Sequence, residues 1–240
     1  MAIDSHEVRA VLFDCDGTLV DTEYAHYEGW KTALNQLGHD LAWNDYAPYI
    51  GKSAETNAML LAQKVGTNCA EFLLQKKRDY YKTLYQKGFP PIANTVQFLK
   101  KLAVEKKALG LKLGVCSAAK KEEILFHLKR LAILPLLDIV LSGQDDLTEY
   151  SDPEGVNKPK PYIYLHAAKL LKINPSEAVV IEDSTSGAWA GVTAGCFTIA
   201  IPNVYTKHHD FSHTHLKLDS LAGMSVQEFL TRASWKPQTT

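Results

Sequence analysis

The sequence predicts an α/β protein: a parallel sheet flanked by helices, with an all-helical unit inserted after the first strand. Three observations carry this. A short apolar run, Val8 to Phe13, opens the chain as a strand. From Thr22 to Lys87 only helical periodicity follows. From Ile92 onward strand and helix patterns alternate, which predicts a parallel sheet with right-handed crossovers.

The opening strand reads V-R-A-V-L-F and runs into Asp14-Cys15-Asp16-Gly17-Thr18, where Asp-Gly turns the chain. Tyr24, Tyr27, Trp30, Leu34 and Leu37 then recur at helical steps, with Asp21 and Thr22 as start caps and Gly38 as the stop. Two more helices are expected, over Ala54 to Val65 and Ala70 to Gln86, and Pro90-Pro91 closes the insert. Ile92, Val96, Leu99 and Leu102 mark an amphipathic helix. Strands follow at Leu111 to Cys116, Ile139 to Leu141, Ala178 to Ile181 and Phe197 to Ile201. Helices at Lys120 to Ile133, Pro161 to Leu171 and Ser186 to Ala194 separate them. The polar tail from Trp235 is expected to fray. Residues 1–21 and 92–240 would thus form the α/β core, and 22–91 a helical domain.

Composition excludes several classes. A formal net charge of -1 over 240 residues argues against a nucleic-acid or membrane-surface protein. No apolar stretch reaches the ~18 residues of a membrane span. Cys15, Cys69, Cys116 and Cys196 form no CxxC pair, and three of them sit in or beside strand-like runs, so reduced thiols are expected. The N-terminus lacks the basic and apolar regions of a secretion signal. The expected location is the cytoplasm, or a plastid stroma if a transit peptide has been removed, and a monomer is expected.

The chemistry collects at the strand ends, where open α/β sheets place it. The first strand ends in Asp14 and Asp16, the second in Ser117, and the loop after the third carries Lys158. The fourth ends in Glu182-Asp183-Ser184. Carboxylates without thiols or imidazoles suit a hard cation, and Mg²⁺ is the usual one beside phosphate. A hydroxyl and an ammonium suit phosphate oxygens. The inferred reaction class is phosphoryl transfer on a small phosphate ester. Each group alone has a plainer reading: Asp-Gly as a turn, Ser117 as a helix cap, Lys158 as a solvated lysine, Glu182-Asp183 as helix-start acids. Their joint occurrence, in order and each at a strand end, favours chemistry.

With these residues the chain resembles the haloacid dehalogenase superfamily. Asp14-x-Asp16-Gly17-Thr18, Ser117, Lys158-Pro159-x-Pro161 and Ile181-Glu182-Asp183-Ser184 match its motifs in order. Asp21-Thr22-Glu23, His26 and Trp30 are similar to the β-phosphoglucomutase and sugar-phosphate phosphatase subgroup, which includes xylulose-1,5-bisphosphate phosphatases. The resemblance implies a doubly wound, Rossmann-like core of five or six strands with a helical cap domain. It also implies Asp14 as nucleophile through an aspartyl phosphate, Asp16 as general acid/base, and Ser117 and Lys158 on the phosphate. Mg²⁺ would be held by Asp14, Asp183 and the backbone carbonyl of Asp16, with Glu182 beside it. In the cap, His26, Trp30, Lys52 and Arg78 are the candidates to face substrate.

Two other functions fit parts of the pattern. A hexose phosphomutase shares the chemistry, but its cap-loop arginine near Gly51 is absent, and Arg78 is the only arginine between Thr22 and Pro91. A phospho-aspartate signalling switch shares the acidic residues, hydroxyl and lysine, but leaves the helical insert unexplained. Gly51-Lys52-Ser53 lacks the upstream glycine of a P-loop. His208, His209, His213 and His215 read as a solvated polar loop.

Overall fold

A computed structural model describes residues 7–50 and 52–234. The tail expected to fray lies outside the described residues. Six parallel strands form one sheet: β1 (Ala10–Phe13), β2 (Lys112–Ser117), β3 (Ile139–Ser142), β4 (Ala178–Glu182), β5 (Phe197–Ala200) and β6 (Leu216–Lys217). Their order is β3-β2-β1-β4-β5-β6. The chain builds outward from β1 on one side and then returns to build on the other. The switch point therefore lies between the carboxyl ends of β1 and β4, where such sheets open a crevice.

The central strands are mostly apolar because both sheet faces are covered. Val11, Phe13, Leu113, Val115, Val179 and Ile181 face one core cluster. Ala10, Leu12, Cys116, Ala178 and Val180 face the other. On the first face pack α5 (Ala93–Glu105), α6 (Lys121–Arg130) and α9 (Val226–Ala233), through Leu99, Leu128 and Phe229 among others. On the second pack α7 (Tyr162–Leu171) and α8 (Thr185–Thr193), through Tyr164, Ala167 and Ala190. The doubly wound arrangement thus follows from the period-2 split of each strand.

Between β1 and α5 lie α1 (Glu23–Asn35), the single turn α2 (Trp43–Tyr46), α3 (Ala54–Lys64) and α4 (Ala70–Tyr85). They close on their own apolar cluster, with Tyr27, Trp30, Leu34, Leu61 and Leu73 at its centre. Thr22 stands at the start of α1, but its hydroxyl caps no backbone amide, contrary to the expected role. The two connections to the core run side by side. The Asp21 amide donates to the Pro90 carbonyl at 2.9 Å, and the Ile92 amide to the Leu19 carbonyl at 2.9 Å. Val20 and Pro91 face each other as an isolated antiparallel bridge. Among the described residues, no helix is long and apolar enough to cross a membrane.

Candidate active site

β1 ends at the switch point, and the turn after it sets two carboxylates in different surroundings. Asp14 is buried, and its amide is tied to the Ile181 carbonyl of β4 at 3.0 Å. Lys158 reaches it from the loop before α7. The Lys158 ammonium donates to Asp14 Oδ1 at 2.6 Å, to Glu182 Oε1 at 2.7 Å and to the Cys116 carbonyl at 2.8 Å. All three donor positions are therefore used. Asp16 lies partly buried, and its Oδ2 accepts from the Ser117 hydroxyl at 3.0 Å. Cys15 between them is fully buried in the apolar cluster of the first sheet face.

Gly17 makes this turn possible twice over. Its φ of 83° lies in the left-handed region, and a Cβ there would sit 2.3 Å from Asp183 Oδ2. The missing side chain lets Asp183 approach the loop. Thr18 donates to Asp183 Oδ1 at 3.4 Å. Gly187 in α8 does the same for Glu182, since a Cβ there would fall 2.0 Å from its carboxylate.

Asp14, Glu182 and Asp183 present oxygens that all lie within 4.8 Å of one another, and all three residues are buried. One ammonium cannot balance three buried carboxylates. Burial pushes the Asp14 carboxyl up to about 8, opposed by Lys158 and reinforced by Glu182 and Asp16. Burial and the neighbouring Asp14 and Glu182 also hold Asp183 well above its usual range. An all-oxygen donor set with surplus negative charge fits a hard divalent cation, and the residues present are those such an ion needs. Glu182 is the least available of them, because its Oε1 accepts from both Lys158 and the buried Tyr164 hydroxyl, the latter at 2.6 Å.

The cap candidates divide. His26 lies half-buried, its ring stacked on Tyr81 at 4.6 Å. Trp30 is 1% exposed, inside the cap's apolar cluster, and so does not face the carboxylates. Arg78 is turned to the cap surface, where it pairs with Glu55 at 2.7 Å. Lys52 is exposed, and no contact joins it to the core carboxylates. The cap cation on the inside is Lys77. Its chain is buried, and its ammonium lies 4.6 Å from the Tyr81 ring centroid, in the fields of Glu123, Glu23 and Asp16. Burial brings it down to about 8. Glu23 accepts from the Tyr46 hydroxyl at 2.6 Å, and burial raises it to about 7.

Sequence reasoning missed Lys77, Tyr164 and Asn203. Asn203 Nδ2 donates to Asp183 Oδ2 at 2.9 Å and to the Gly17 carbonyl at 3.2 Å. A cavity of about 150 Å³ lies behind that contact, lined by Gly17, Thr18, Thr95 and Asn203 and by none of Asp14, Asp16, Glu182 and Asp183. The histidine loop is exposed at His208 and His215 and partly buried at His209 and His213. His213 stacks on Trp189 at 4.1 Å, and His215 Nδ1 accepts the Thr198 amide at 3.0 Å. None of the four histidines joins a metal-ligand group among the described residues.

Comparison with known proteins agrees with the geometry. The chain matches the family of haloacid dehalogenase-like hydrolases over residues 11–201, from β1 past β5. β-Phosphoglucomutase of Bacillus subtilis is 29% identical over 203 residues, 81% of this chain and 83% of that protein. Protein CbbY of Cereibacter sphaeroides is 28% identical over 226 residues, 90% of this chain and 93% of that one. The crystal structure of CbbY from Rhodobacter sphaeroides in complex with xylulose-(1,5)bisphosphate has a TM-score of 0.69 at 22% identity, covering 92% of this chain and 98% of that one. Acidic groups at the β1 and β4 tips, a lysine from the next loop and a helical unit after β1 all fall inside the matched region, and the chain belongs to the haloacid dehalogenase-like hydrolases, as an enzyme related to β-phosphoglucomutase and CbbY.

Proposed function

We propose that this enzyme is a Mg²⁺-dependent phosphohydrolase that cleaves a small sugar phosphate or sugar bisphosphate through an aspartyl phosphate on Asp14. One observation carries the reading: Asp14 and Asp16 leave the same strand tip but meet opposite partners. Asp14 is held at 2.6 Å by an ammonium, which opposes the upward push of burial on its carboxyl and orients it for attack. Asp16 is held by the Ser117 hydroxyl and lies off the Lys158 ammonium, and in this reading it is the group that exchanges the proton.

An Asp14 oxygen attacks phosphorus, the ester P–O bond breaks, and the sugar oxygen leaves with the proton of Asp16. Asp16 then takes a proton from water as that water's oxygen displaces Asp14 from phosphorus. The enzyme is restored and phosphate is released. Lys158 stays on Asp14 throughout and offsets charge on the phosphoryl oxygens. Asp14, Asp183 and the Asp16 carbonyl would hold Mg²⁺, which supplies charge neutralisation between nucleophile and phosphate. Glu182 fixes Lys158 from the opposite side. An aspartate at position 16 suits an alcohol leaving group, because such a group needs a proton. The related proteins act on or were solved with phosphorylated sugars by name, which supports the substrate class. Lys77 is the cap group best placed to meet a sugar oxygen or a second phosphate, and His26 lies beside it against Tyr81.

The test is a phosphate-release screen over sugar mono- and bisphosphates with Mg²⁺, with every product checked for isomerisation. Repeated release of phosphate is expected. An isomeric sugar phosphate with little free phosphate would identify a mutase, and one phosphorylation without turnover would identify a switch.

A further inference from the structure

Asn203 sits in the loop after β5, outside every motif, yet its amide group ends inside the site. Its two ends have separate tasks. The carbonyl Oδ1 accepts from the Tyr205 amide at 2.9 Å and the Thr206 amide at 3.2 Å, closing a turn within its own loop. Thr206, itself buried, returns the bond by accepting from the Asn203 amide at 3.1 Å. An aspartate would make that turn equally well, since only an acceptor is needed. The Nδ2 end has no partner in the turn. Both of its hydrogens go to the catalytic loops, one to Asp183 Oδ2 and one to the Gly17 carbonyl. The donor is what an aspartate would lack, and an acid there would set two carboxylates against each other.

The same turn touches the cap. The Tyr205 ring packs edge-on against Trp43 of α2 at 5.3 Å and joins the cap's apolar cluster. Two residues of one core loop, Asn203 and Tyr205, thus bridge the carboxylate just after β4, the turn after β1 and the helical cap.

We propose that Asn203 is a positioning residue for Asp183, and that its turn, anchored on Trp43 through Tyr205, makes the placement of Asp183 depend on the cap. The inference rests on the reading of Asp183 as a cation ligand. A carboxylate with one oxygen held at 2.9 Å by an amide and the other by Thr18 has little rotational freedom left, so it waits in one orientation.

Mn²⁺ binding followed by electron paramagnetic resonance, on protein free of phosphate and substrate, tests this without relying on turnover. Asn203→Ala is expected to weaken Mn²⁺ by about tenfold or more, the usual effect of losing a group that orients a ligand. Thr206→Val loosens the turn but leaves the amide donor, and is expected to stay within threefold of wild type. Tyr205→Leu removes the packing on Trp43 together with the hydroxyl's hydrogen bond to Asp21 at the start of the cap, and is expected to fall between the two. Equal losses in Asn203→Ala and Thr206→Val would reduce Asn203 to a loop-ordering role and overturn the proposal. An unchanged Tyr205→Leu would overturn the dependence on the cap. If wild type bound no Mn²⁺ at all, the cation reading itself would fail. Wild-type binding with an unaffected Asn203→Ala would defeat the positioning role alone.

Discussion

At the scale of single residues, the site is a problem of too many buried carboxylates and one lysine. Asp14→Asn removes one negative charge and the proposed nucleophile together. Turnover of any phosphate ester is expected to fall at least about a thousandfold, while the melting temperature without Mg²⁺ stays level or rises. Activity near wild type would mean that another group attacks phosphorus. Lys158→Met does the reverse, leaving Asp14 and Glu182 buried without their shared cation. The expected cost is roughly 3–5 kcal/mol at pH 8, a drop on the order of 10 °C in melting temperature without Mg²⁺. A change of only a degree or two would show that the cluster is balanced by something other than Lys158. The carboxylates, Ser117 and Lys158 were legible in the sequence because each ends a strand or follows one in a fixed order. Tyr164, Lys77 and Asn203 were not. A tyrosine at helical spacing reads as core, and Tyr164 does pack in the core; only its hydroxyl at 2.6 Å from Glu182 gives it a second task. Lys77 reads as a surface lysine beside Lys76, until α4 turns its chain inward over Tyr81. Asn203 reads as an ordinary turn residue.

At the scale of elements, the sequence reading located five strands and their crossover helices because both faces of the sheet are buried, so β1 through β5 stand out as apolar runs. It missed β6, a two-residue edge strand, and α2, a single turn, since neither is long enough to show a period. It also missed α9, whose Val226, Phe229 and Ala233 are spaced as a helix and are buried against the first sheet face. There the signal was present and unread. The helical insert was legible as a unit because no strand pattern interrupts it, and its cluster around Leu61 and Leu73 is distinct from the sheet's two. We propose that this cap moves on the core about the paired linkers at Val20 and Pro91. Leu73→Ala tests the division. Leu73 is fully buried in the cap cluster and touches no reacting group, so its truncation is expected to cost about 2–5 kcal/mol of cap stability. Turnover of a sugar phosphate, which needs the closed cap, should fall by tenfold or more. Turnover of p-nitrophenyl phosphate at saturating Mg²⁺, a small ester that the core can reach alone, should stay within about threefold. Equal losses on both substrates would mean that cap and core act as one body.

At the scale of the whole molecule, the site couples folding, protons and cation. Without a cation the folded chain holds Asp14 at about 8 and Asp183 well above its usual range, both mainly through burial. Unfolded, both would titrate near the ordinary aspartate value of about 3.9. Between those limits the native state binds more protons than the unfolded state. The stability these groups contribute is therefore fully present below about pH 4; the Asp14 share is lost as pH rises through about 8, and the Asp183 share is lost in the same direction. Lys158 does not reverse this, since its own value is raised and it stays charged across the window. A divalent cation exchanges for those protons, so its binding should release them and strengthen as pH rises. Melting curves at pH 5.5, 7 and 8.5, each with and without Mg²⁺, give the test. The cation-free melting temperature is expected to fall along the series, by several degrees over and above any general acid effect at the low end. The increment from Mg²⁺ should grow in the same direction and be smallest at pH 5.5. In Asp183→Asn both trends should flatten, because one of the two protons and one of the proposed ligands are gone. A Mg²⁺ increment that is constant with pH, or largest at pH 5.5, would mean that the ion does not displace protons from Asp14 and Asp183 and binds elsewhere.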